Sequence, residues 1–412
     1  MTEKKNWKQN IALFLISQTI TLLGSSLVQY AITWHITLET GSGTMMTVAA
    51  ICGFLPAFFL SPFAGVWADR YDRKLLIILS DSFIALSTLG LAISFFLGYD
   101  AVWLIFTISV IRSLGSGIQM PATSAILPQI VPTEELTRIN GIFGSIQPII
   151  SLGAPLLSGI LLVNASIGFV FLIDVFTAII GIIVLFSLVK VKSLAQAMQS
   201  EKTDFASDML SGLTFIQQRK QLLTFFLFCI AYFLFLTPAA MLTPLQVARL
   251  FGDDVMLLTF AEISFAVGMV AGGIIVAVKK NFSKKIRVIS IASFFFALFS
   301  IGLGSVSSFP FYLGFMILCG LTIPFTNTAA TVYLQEKVEE SYLGRVFGIM
   351  SMLTSGFVPL AMLFFGPLSD FVSISRILQG SGIILAVFSA GLFLNKSLTD
   401  KMEEVSKISA ET

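Results

Sequence analysis

The sequence predicts an all-α polytopic membrane protein with twelve transmembrane helices in two pseudo-symmetric halves of six. Its composition, the length of its apolar runs and the placement of its basic residues lead to this prediction. The 412 residues are 56% hydrophobic and only 12% charged, whereas soluble domains carry about 25% charged residues. A soluble core cannot absorb this much apolar surface. The net charge of +2 gives no reason to expect a nucleic-acid partner.

The apolar runs are each long enough to cross a bilayer as a helix, which takes about 20 residues. Alternation at period two is absent from them, which argues against a membrane β-barrel. The predicted spans are 10–35, 44–67, 75–97, 101–120, 137–162, 167–189, 221–245, 255–278, 288–306, 310–334, 343–367 and 374–395.

Lysine and arginine set the predicted orientation, because these residues concentrate in cytoplasmic loops. With twelve spans and both termini cytoplasmic, nearly all basic residues fall on the cytoplasmic side, the exceptions being Arg112, Arg249 and Arg376. One missed span would invert every later loop. The span count and the cytoplasmic termini are therefore predicted together.

The longest polar connection lies between the sixth and seventh spans and sets the predicted domains. They are an N-terminal half (1–190), a cytoplasmic central loop (191–219), a C-terminal half (220–396) and a cytoplasmic tail (397–412). The central loop has apolar residues at helical spacing, at Phe205, Met209, Leu213 and Ile216, which predicts an interfacial amphipathic helix. A six-plus-six layout is typical of transporters built from two related halves.

A charged cluster, GVWADRYDRK (65–74), lies between the second and third spans. It resembles the G-x-L-A-D-R-x-G-R-R/K signature of the major facilitator superfamily, with Trp67 in the usual Leu place and Asp72 where a second Gly is common. The resemblance implies a twelve-helix secondary transporter with a cytoplasmic gate; the alternative is a solvated, topology-setting loop. The gating candidates are Gly65, Asp69, Arg70, Asp72, Arg73 and Lys74.

From the residues alone, we expect Gly65 to permit close helix approach and Asp69 to accept hydrogen bonds from a neighbouring helix N-terminus. We expect the arginines to bridge to acids on adjacent helix ends.

The segment QMPATSAILPQIVPTEELTRINGIFGSIQ (119–147) resembles the macrolide-efflux and enterobactin-exporter branch of that superfamily, as do segments 53–74 and 344–370. The fifth span contains GAPLLSG, which is similar to the antiporter signature of drug exporters and is also what any closely packed membrane helix shows. Its candidate packing residues are Gly153, Ala154, Pro155, Ser158 and Gly159. In the fourth span Arg112 is followed by SLGSG, so the family's motif is only partly kept.

Four charged residues lie well inside predicted spans, away from the span ends, where each costs a few kcal/mol: Asp81, Arg112, Asp174 and Glu262. Counting helix rise places Asp81 and Arg112 at similar depth, so we expect them to pair, either structurally or in proton coupling. Asp174 and Glu262 each lie about 10 Å below the outer surface. A carboxyl in a low-dielectric cavity suits proton exchange or capture of a cation; for Asp174 the alternative is a helix-packing hydrogen bond.

The sequence contains no nucleotide-binding G-x-x-x-x-G-K-[ST] loop and no hydrolase or paired metal-ligand motif. Its three cysteines, Cys52, Cys229 and Cys319, lie far apart within spans and suit buried apolar positions. We therefore expect neither an enzyme nor a cofactor or metal site. The chain is predicted to use an ion gradient, with the need for a partner ATPase left open.

The leading interpretation is a monomeric efflux transporter of the bacterial cytoplasmic membrane that confers antibiotic resistance. It would export lipophilic drugs, macrolides first, by proton antiport with alternating access. The alternatives within the fold are an exporter of a tetracycline, dye or siderophore and a metabolite importer. A receptor or scaffold is the alternative from another class, and the sequence shows no appended soluble domain that would favour it.

Overall fold

The computed structural model describes residues 3–189, 191, 205–279 and 284–394, and the regular elements in those ranges are all helices. They are α1 (Glu3–Thr40), α2 (Gly43–Arg70), α3 (Arg73–Phe96), α4 (Val102–Ile130), a 3-10 turn (Thr133–Glu135), α5 (Leu136–Asn164), α6 (Ile167–Leu188), α7 (Phe205–Gln218), α8 (Lys220–Met241), α9 (Thr243–Phe251), α10 (Val255–Val278), α11 (Lys285–Ser305), α12 (Phe309–Lys337), α13 (Glu340–Phe371) and α14 (Ile374–Leu394). In this part of the chain, twelve helical segments are long and apolar enough to cross a membrane, with α8 and α9 forming one of them. The twelve-span prediction is confirmed. The predicted tail 397–412 and residues 192–204 of the central loop lie outside the described residues.

The seventh span is broken, although the sequence predicts one continuous helix over 221–245. α8 ends at Met241 and α9 begins at Thr243. Pro244 sits in the first turn of α9, where its missing N–H costs nothing because first-turn donors have no intrahelical acceptor. In a continuous helix the same proline would remove a backbone hydrogen bond, so the chain restarts here.

The predicted amphipathic helix is α7, and one side of it packs against protein. α7 lies on α8 and α13, and Phe215 and Ile216 are buried. Phe215 stacks on Tyr342 with ring centroids 4.2 Å apart. Leu213 of the predicted apolar stripe is exposed, and the interfacial position stays a prediction.

The helices form two compact units. The first contains α1–α6, except Ser42–Thr44, together with Asp254–Thr259; the second contains Ser42–Thr44 and the rest of α7–α14. In the first unit α1 packs on α5 and α6, and α3 packs on α4 and α6. In the second unit α8 packs on α13 and α14, and α11 packs on α12 and α14.

These are the same pairings displaced by six spans, so the structure shows a repeat that residue identities barely reveal. The four predicted domain limits stay predictions.

Glycines allow equivalent close contacts in the two units. A Cβ added at Gly117 of α4 would lie 2.9 Å from the Cα of Ala57 in α2. A Cβ added at Gly268 of α10 would lie 2.8 Å from the carbonyl carbon of Ile317 in α12. Both distances are too short for a real side chain, so these helix pairs approach backbone to backbone, as small residues permit in membranes.

Candidate functional site

A buried ion pair joins Arg112 of α4 to Asp174 of α6 within the first unit. Arg112 is 8% exposed and Asp174 is 1% exposed. The Arg112 Nη1 group donates to the Asp174 carboxylate and to the Thr88 hydroxyl. The predicted pairing of Arg112 with Asp81 is therefore wrong.

The register between α3 and α4 explains this correction. In these successive, antiparallel spans Gln119 meets Asp81 and Arg112 meets Thr88, so Arg112 lies level with Thr88, about 10 Å of helix rise away from Asp81. Side chains on a helix also point back toward its N-terminus. α4 and α6 run in the same direction, and the long Arg112 side chain leans toward the end at which α6 begins, where it meets Asp174.

Hydroxyl and carbonyl groups complete the environment of this pair. The Ser25 hydroxyl donates to Asp174 Oδ1 at 3.2 Å, and the Thr88 hydroxyl donates to Asp174 Oδ2 at 3.2 Å. Arg112 Nη2 lies 3.4 Å from the Ser25 carbonyl oxygen, which accepts its N–H. The pair thus draws together α1, α3, α4 and α6. A buried charge pair is tolerated when such additional hydrogen bonds satisfy it.

Asp81 of α3 lies within electrostatic reach of Asp174 and has a different hydrogen-bonding environment. Its Oδ1 accepts a 2.6 Å hydrogen bond from Gln119 Nε2, and its side chain is 1% exposed. Its Oδ2 is buried without a hydrogen-bond partner among the described residues. Asp81 is therefore a buried carboxyl that is hydrogen-bonded to a neutral amide and whose second oxygen has no hydrogen-bond partner in the described part of the chain.

Gln119 is a polar residue that the sequence reasoning missed as a site residue. It lies seven residues after Arg112, which places both on one face of α4. Thr123 continues that face and donates to Gln18 Oε1 of α1 at 3.3 Å. The spacing 112, 119, 123 was readable in the sequence as a polar stripe on a span.

Glu262 lies in the second unit, in a cavity of about 100 Å³ formed by α8, α9, α10, α11 and α12. Within the described chain, the Glu262 carboxylate has neither a hydrogen bond nor an ion pair to another residue. Its lining is Leu236, Ala239, Ala240, Thr243, Glu262, Phe265, Phe296, Leu303, Met316, Cys319 and Ile323. The cavity is therefore apolar apart from one carboxylate, one hydroxyl and one thiol.

The charged cluster at 65–74 ties helix ends together in the first unit. Asp72 caps α3 by accepting from the Leu75 N–H at 3.1 Å. Arg73 donates to the carbonyl oxygens of Ala68 and Ala125, each at 2.7 Å.

Lys74 donates to the carbonyl oxygens of Phe186 and Val189 at 2.9 and 2.8 Å, at the C-terminal end of α6. A cation is favourable there because helix C-termini carry partial negative charge.

Three expectations for this cluster have different outcomes. A Cβ added at Gly65 would meet nothing within 4 Å among the described atoms, so the expected close helix approach at Gly65 is wrong. The expected bridges from these arginines to acids stay a prediction. The Arg73 hydrogen bonds described above go to main-chain carbonyls of α2 and α4, and the Arg70 side chain is exposed. The Asp69 side chain lies outside the described part of the structure, so its predicted role stays a prediction.

The GAPLLSG segment packs α5 against α1 and the start of α10 within the first unit. Ala154 and Ser158 are fully buried, and the Ser158 hydroxyl donates to the Leu27 carbonyl oxygen at 3.3 Å. A Cβ added at Gly159 would collide with the Thr259 side chain. Gly153 faces open space, and Pro155 lies inside the helix.

A second group missed by the sequence reasoning surrounds Asp370 at the end of α13, within the second unit. Its carboxylate accepts from the N–H groups of Gly43 and Thr44 at 2.7 and 3.0 Å and from the Ser42 hydroxyl at 2.9 Å. Arg249 pairs with it at 3.1 Å. Asp370 therefore caps α2 from a distant part of the chain, whereas SGT at 42–44 reads in sequence as a local cap.

Among the residues that the structure describes, no group of three or more His, Cys, Asp or Glu side chains is placed to hold a metal ion. The three cysteines are unpaired, with Cys229 and Cys319 buried.

Comparison with known proteins agrees with these features. The chain is 30% identical over 388 residues to macrolide efflux protein A of Streptococcus pyogenes, covering 93% of this chain and 95% of that protein. It is 31% identical over 325 residues to macrolide efflux protein A of Enterococcus faecalis, covering 78% of this chain and all of that protein. The solved structure of a POT family transporter in complex with 5-aminolevulinic acid matches with a TM-score of 0.70 at 11% identity, covering 96% of each chain; at that identity the likeness shows the fold alone.

A family model described as Major Facilitator Superfamily matches residues 14–359. Together with the twelve spans, these relatives make the chain a multi-pass protein of a bacterial cell membrane and a transporter, not an enzyme. The chain belongs to the major facilitator superfamily.

Proposed function

We propose that this transporter is a secondary active exporter of lipophilic drugs, macrolides first, that exchanges them for protons by alternating access. The observation that carries the proposal is the similarity to macrolide efflux protein A of Streptococcus pyogenes, which extends over 93% of this chain at 30% identity. A match of that extent includes both halves of the protein. Shared architecture throughout the transport path favours a shared direction and substrate class.

The first unit supplies the candidate for proton coupling. Asp174 has a permanent cationic partner in Arg112, so protonating it would leave that arginine buried without a counter-charge. Such a change is strongly unfavourable. Asp81 is hydrogen-bonded to a neutral amide, and its second carboxylate oxygen has no hydrogen-bond partner among the described residues. We assign reversible protonation to Asp81. The Arg112–Asp174 pair is assigned a structural role, which is to hold four helices together.

The cluster at 65–74 is assigned to gating at the cytoplasmic side. Arg73 and Lys74 donate hydrogen bonds to main-chain carbonyl groups near the ends of neighbouring helices. Bonds of that kind keep the cytoplasmic helix ends of the first half together, which suits a half (1–190) that moves as a unit during alternating access. In this proposal the protein acts as a monomer.

Accumulation of radiolabelled erythromycin in susceptible cells tests the proposal. Cells that express the protein should accumulate less drug than cells without it, and a protonophore should abolish the difference. Asp81→Asn should abolish it as well, because an amide cannot exchange a proton. Asp253→Asn, which alters an exposed acid, is the matched control and should export normally.

Equal accumulation with and without well-expressed protein would overturn macrolide export, and tetracycline, dyes and siderophores would then be compared in the same assay. Export that survives the protonophore would overturn proton coupling. Normal export by Asp81→Asn would overturn the assignment of the proton to Asp81.

A further inference from the structure

We propose that the cavity around Glu262 is a binding site for an alkylated ammonium group on an otherwise apolar substrate. The inference deepens the proposed function and rests on it, because erythromycin carries a dimethylamino sugar that is protonated at neutral pH. The cavity lies within the second unit, apart from the acids assigned above to proton coupling and helix joining.

The charge of the cavity indicates a cationic ligand. Glu262 has no hydrogen bond or ion pair to any other described residue, and a carboxylate in an apolar place is stable in its ionised form only when a cation is bound beside it. The Thr243 hydroxyl is engaged by the Ala239 carbonyl oxygen and by the Tyr312 side chain, so it has no free donor proton for the cavity. Both polar oxygen groups therefore favour a positively charged N–H donor.

The apolar lining selects an organic cation over a metal ion. Hard cations such as Ca²⁺ take six to eight oxygen ligands, and this cavity supplies a carboxylate and a hydroxyl. Phe265 and Phe296 line the cavity instead. Aromatic rings attract alkylated ammonium groups through their electron-rich faces, and such groups are weakly hydrated. One carboxylate between aromatic and aliphatic side chains therefore matches a methylated amine.

The size of the cavity limits what enters it. A volume of about 100 Å³ is smaller than the cavity of about 150 Å³ that accommodates benzene in an engineered protein. It admits a dimethylammonium head and excludes a macrolide ring. The substrate would therefore insert its amine and keep its apolar body outside the cavity.

Equilibrium binding to the purified full chain in lipid nanodiscs tests this inference without any ion gradient. The probes are tritiated erythromycin and its N-oxide, which keeps the shape but is neutral overall. We expect wild-type protein to bind erythromycin at least tenfold more tightly than the N-oxide. Glu262→Gln should lower the affinity for erythromycin at least tenfold and change the affinity for the N-oxide less than twofold. Asp253→Asn is the control and should bind both probes as the wild type does.

Unchanged erythromycin affinity in Glu262→Gln would overturn the inference, as would an equal loss for both probes, which would indicate a general structural role. Glu262→Asp keeps the charge and should retain binding within a few-fold; loss comparable to that of Glu262→Gln would also count against charge recognition. If wild-type protein binds neither macrolide, the proposed substrate fails, and protonated N,N-dimethylbenzylamine titrated by calorimetry decides the inference by itself. Saturable binding that Glu262→Gln abolishes would support the ammonium site, and absence of binding would overturn it.

Discussion

Removing one partner of the Arg112–Asp174 pair should destabilise the protein far more than removing both charges together. Asp174→Asn keeps the shape and the hydroxyl contacts of residue 174 but leaves Arg112 buried without a counter-charge. Both side chains are less than a tenth exposed, so the change falls in the range of about 3–5 kcal/mol observed when buried pairs lose one partner. Arg112→Gln should lower the free energy of unfolding by a similar amount, because it leaves the Asp174 carboxylate buried without a counter-charge.

The double variant Arg112→Gln/Asp174→Asn is neutral and keeps hydrogen-bonding groups on both helices. We expect it to lose less stability than either single variant does, which gives a coupling energy above about 3 kcal/mol in the double-mutant cycle. The free energy of unfolding is measured by SDS titration in mixed micelles, followed by circular dichroism.

Asp81→Asn is the internal control for this cycle. The amide carbonyl that replaces the carboxylate can still accept from Gln119, and no described cation is stranded, so the loss should stay below about 1 kcal/mol. Additive effects of the two single variants would refute the coupling between Arg112 and Asp174. A loss in Asp174→Asn no larger than that in Asp81→Asn would refute the difference in environment.

Two further predictions concern helix packing and capping. Gly268→Ala should destabilise the protein by about 1–3 kcal/mol, because its methyl group would meet the Ile317 backbone; Gly273→Ala, on the same helix with nothing within 4 Å, should be neutral or slightly stabilising in the same thermal melt, and equal melting temperatures would contradict the packing. Asp370→Asn should lower stability by about 1–2 kcal/mol, because an amide satisfies fewer of the donors at Gly43 and its neighbours; an unchanged SDS midpoint would contradict the capping role.

The span count and the cluster at 65–74 could be predicted because each rests on local sequence. Bilayer thickness requires a minimum apolar length, so hydropathy finds the spans. The polar stripe Arg112, Gln119 and Thr123 follows from helical periodicity and was equally local. The break at Leu242 was not readable from Pro244 alone: proline suits the first turn of a helix, but Pro155 lies inside the continuous helix α5.

The partners of the charged residues were not predictable by the same means. Depth counted along a helix locates a Cα, whereas an arginine side chain reaches several ångströms toward the N-terminus of its own helix. Counting from the predicted span ends placed Asp81 level with Arg112, whereas the packed register of α3 and α4 places Thr88 there and brings the Arg112 side chain to Asp174.

The sequence by itself determined that the chain crosses a membrane twelve times and that Asp81, Arg112, Asp174 and Glu262 lie within spans, because transfer of apolar and charged groups into lipid depends on composition. The tertiary structure alone decided that Asp174 pairs with Arg112 and that Glu262 lies in a small, largely apolar cavity. It also decided that one oxygen of Asp81 has no hydrogen-bond partner among the described residues. It also placed Asp370 on the first turn of α2, more than three hundred residues away. The physical reason is that hydrophobicity is a property of each segment, whereas the partner of a buried charge depends on which helix faces are packed together and on where each side chain points.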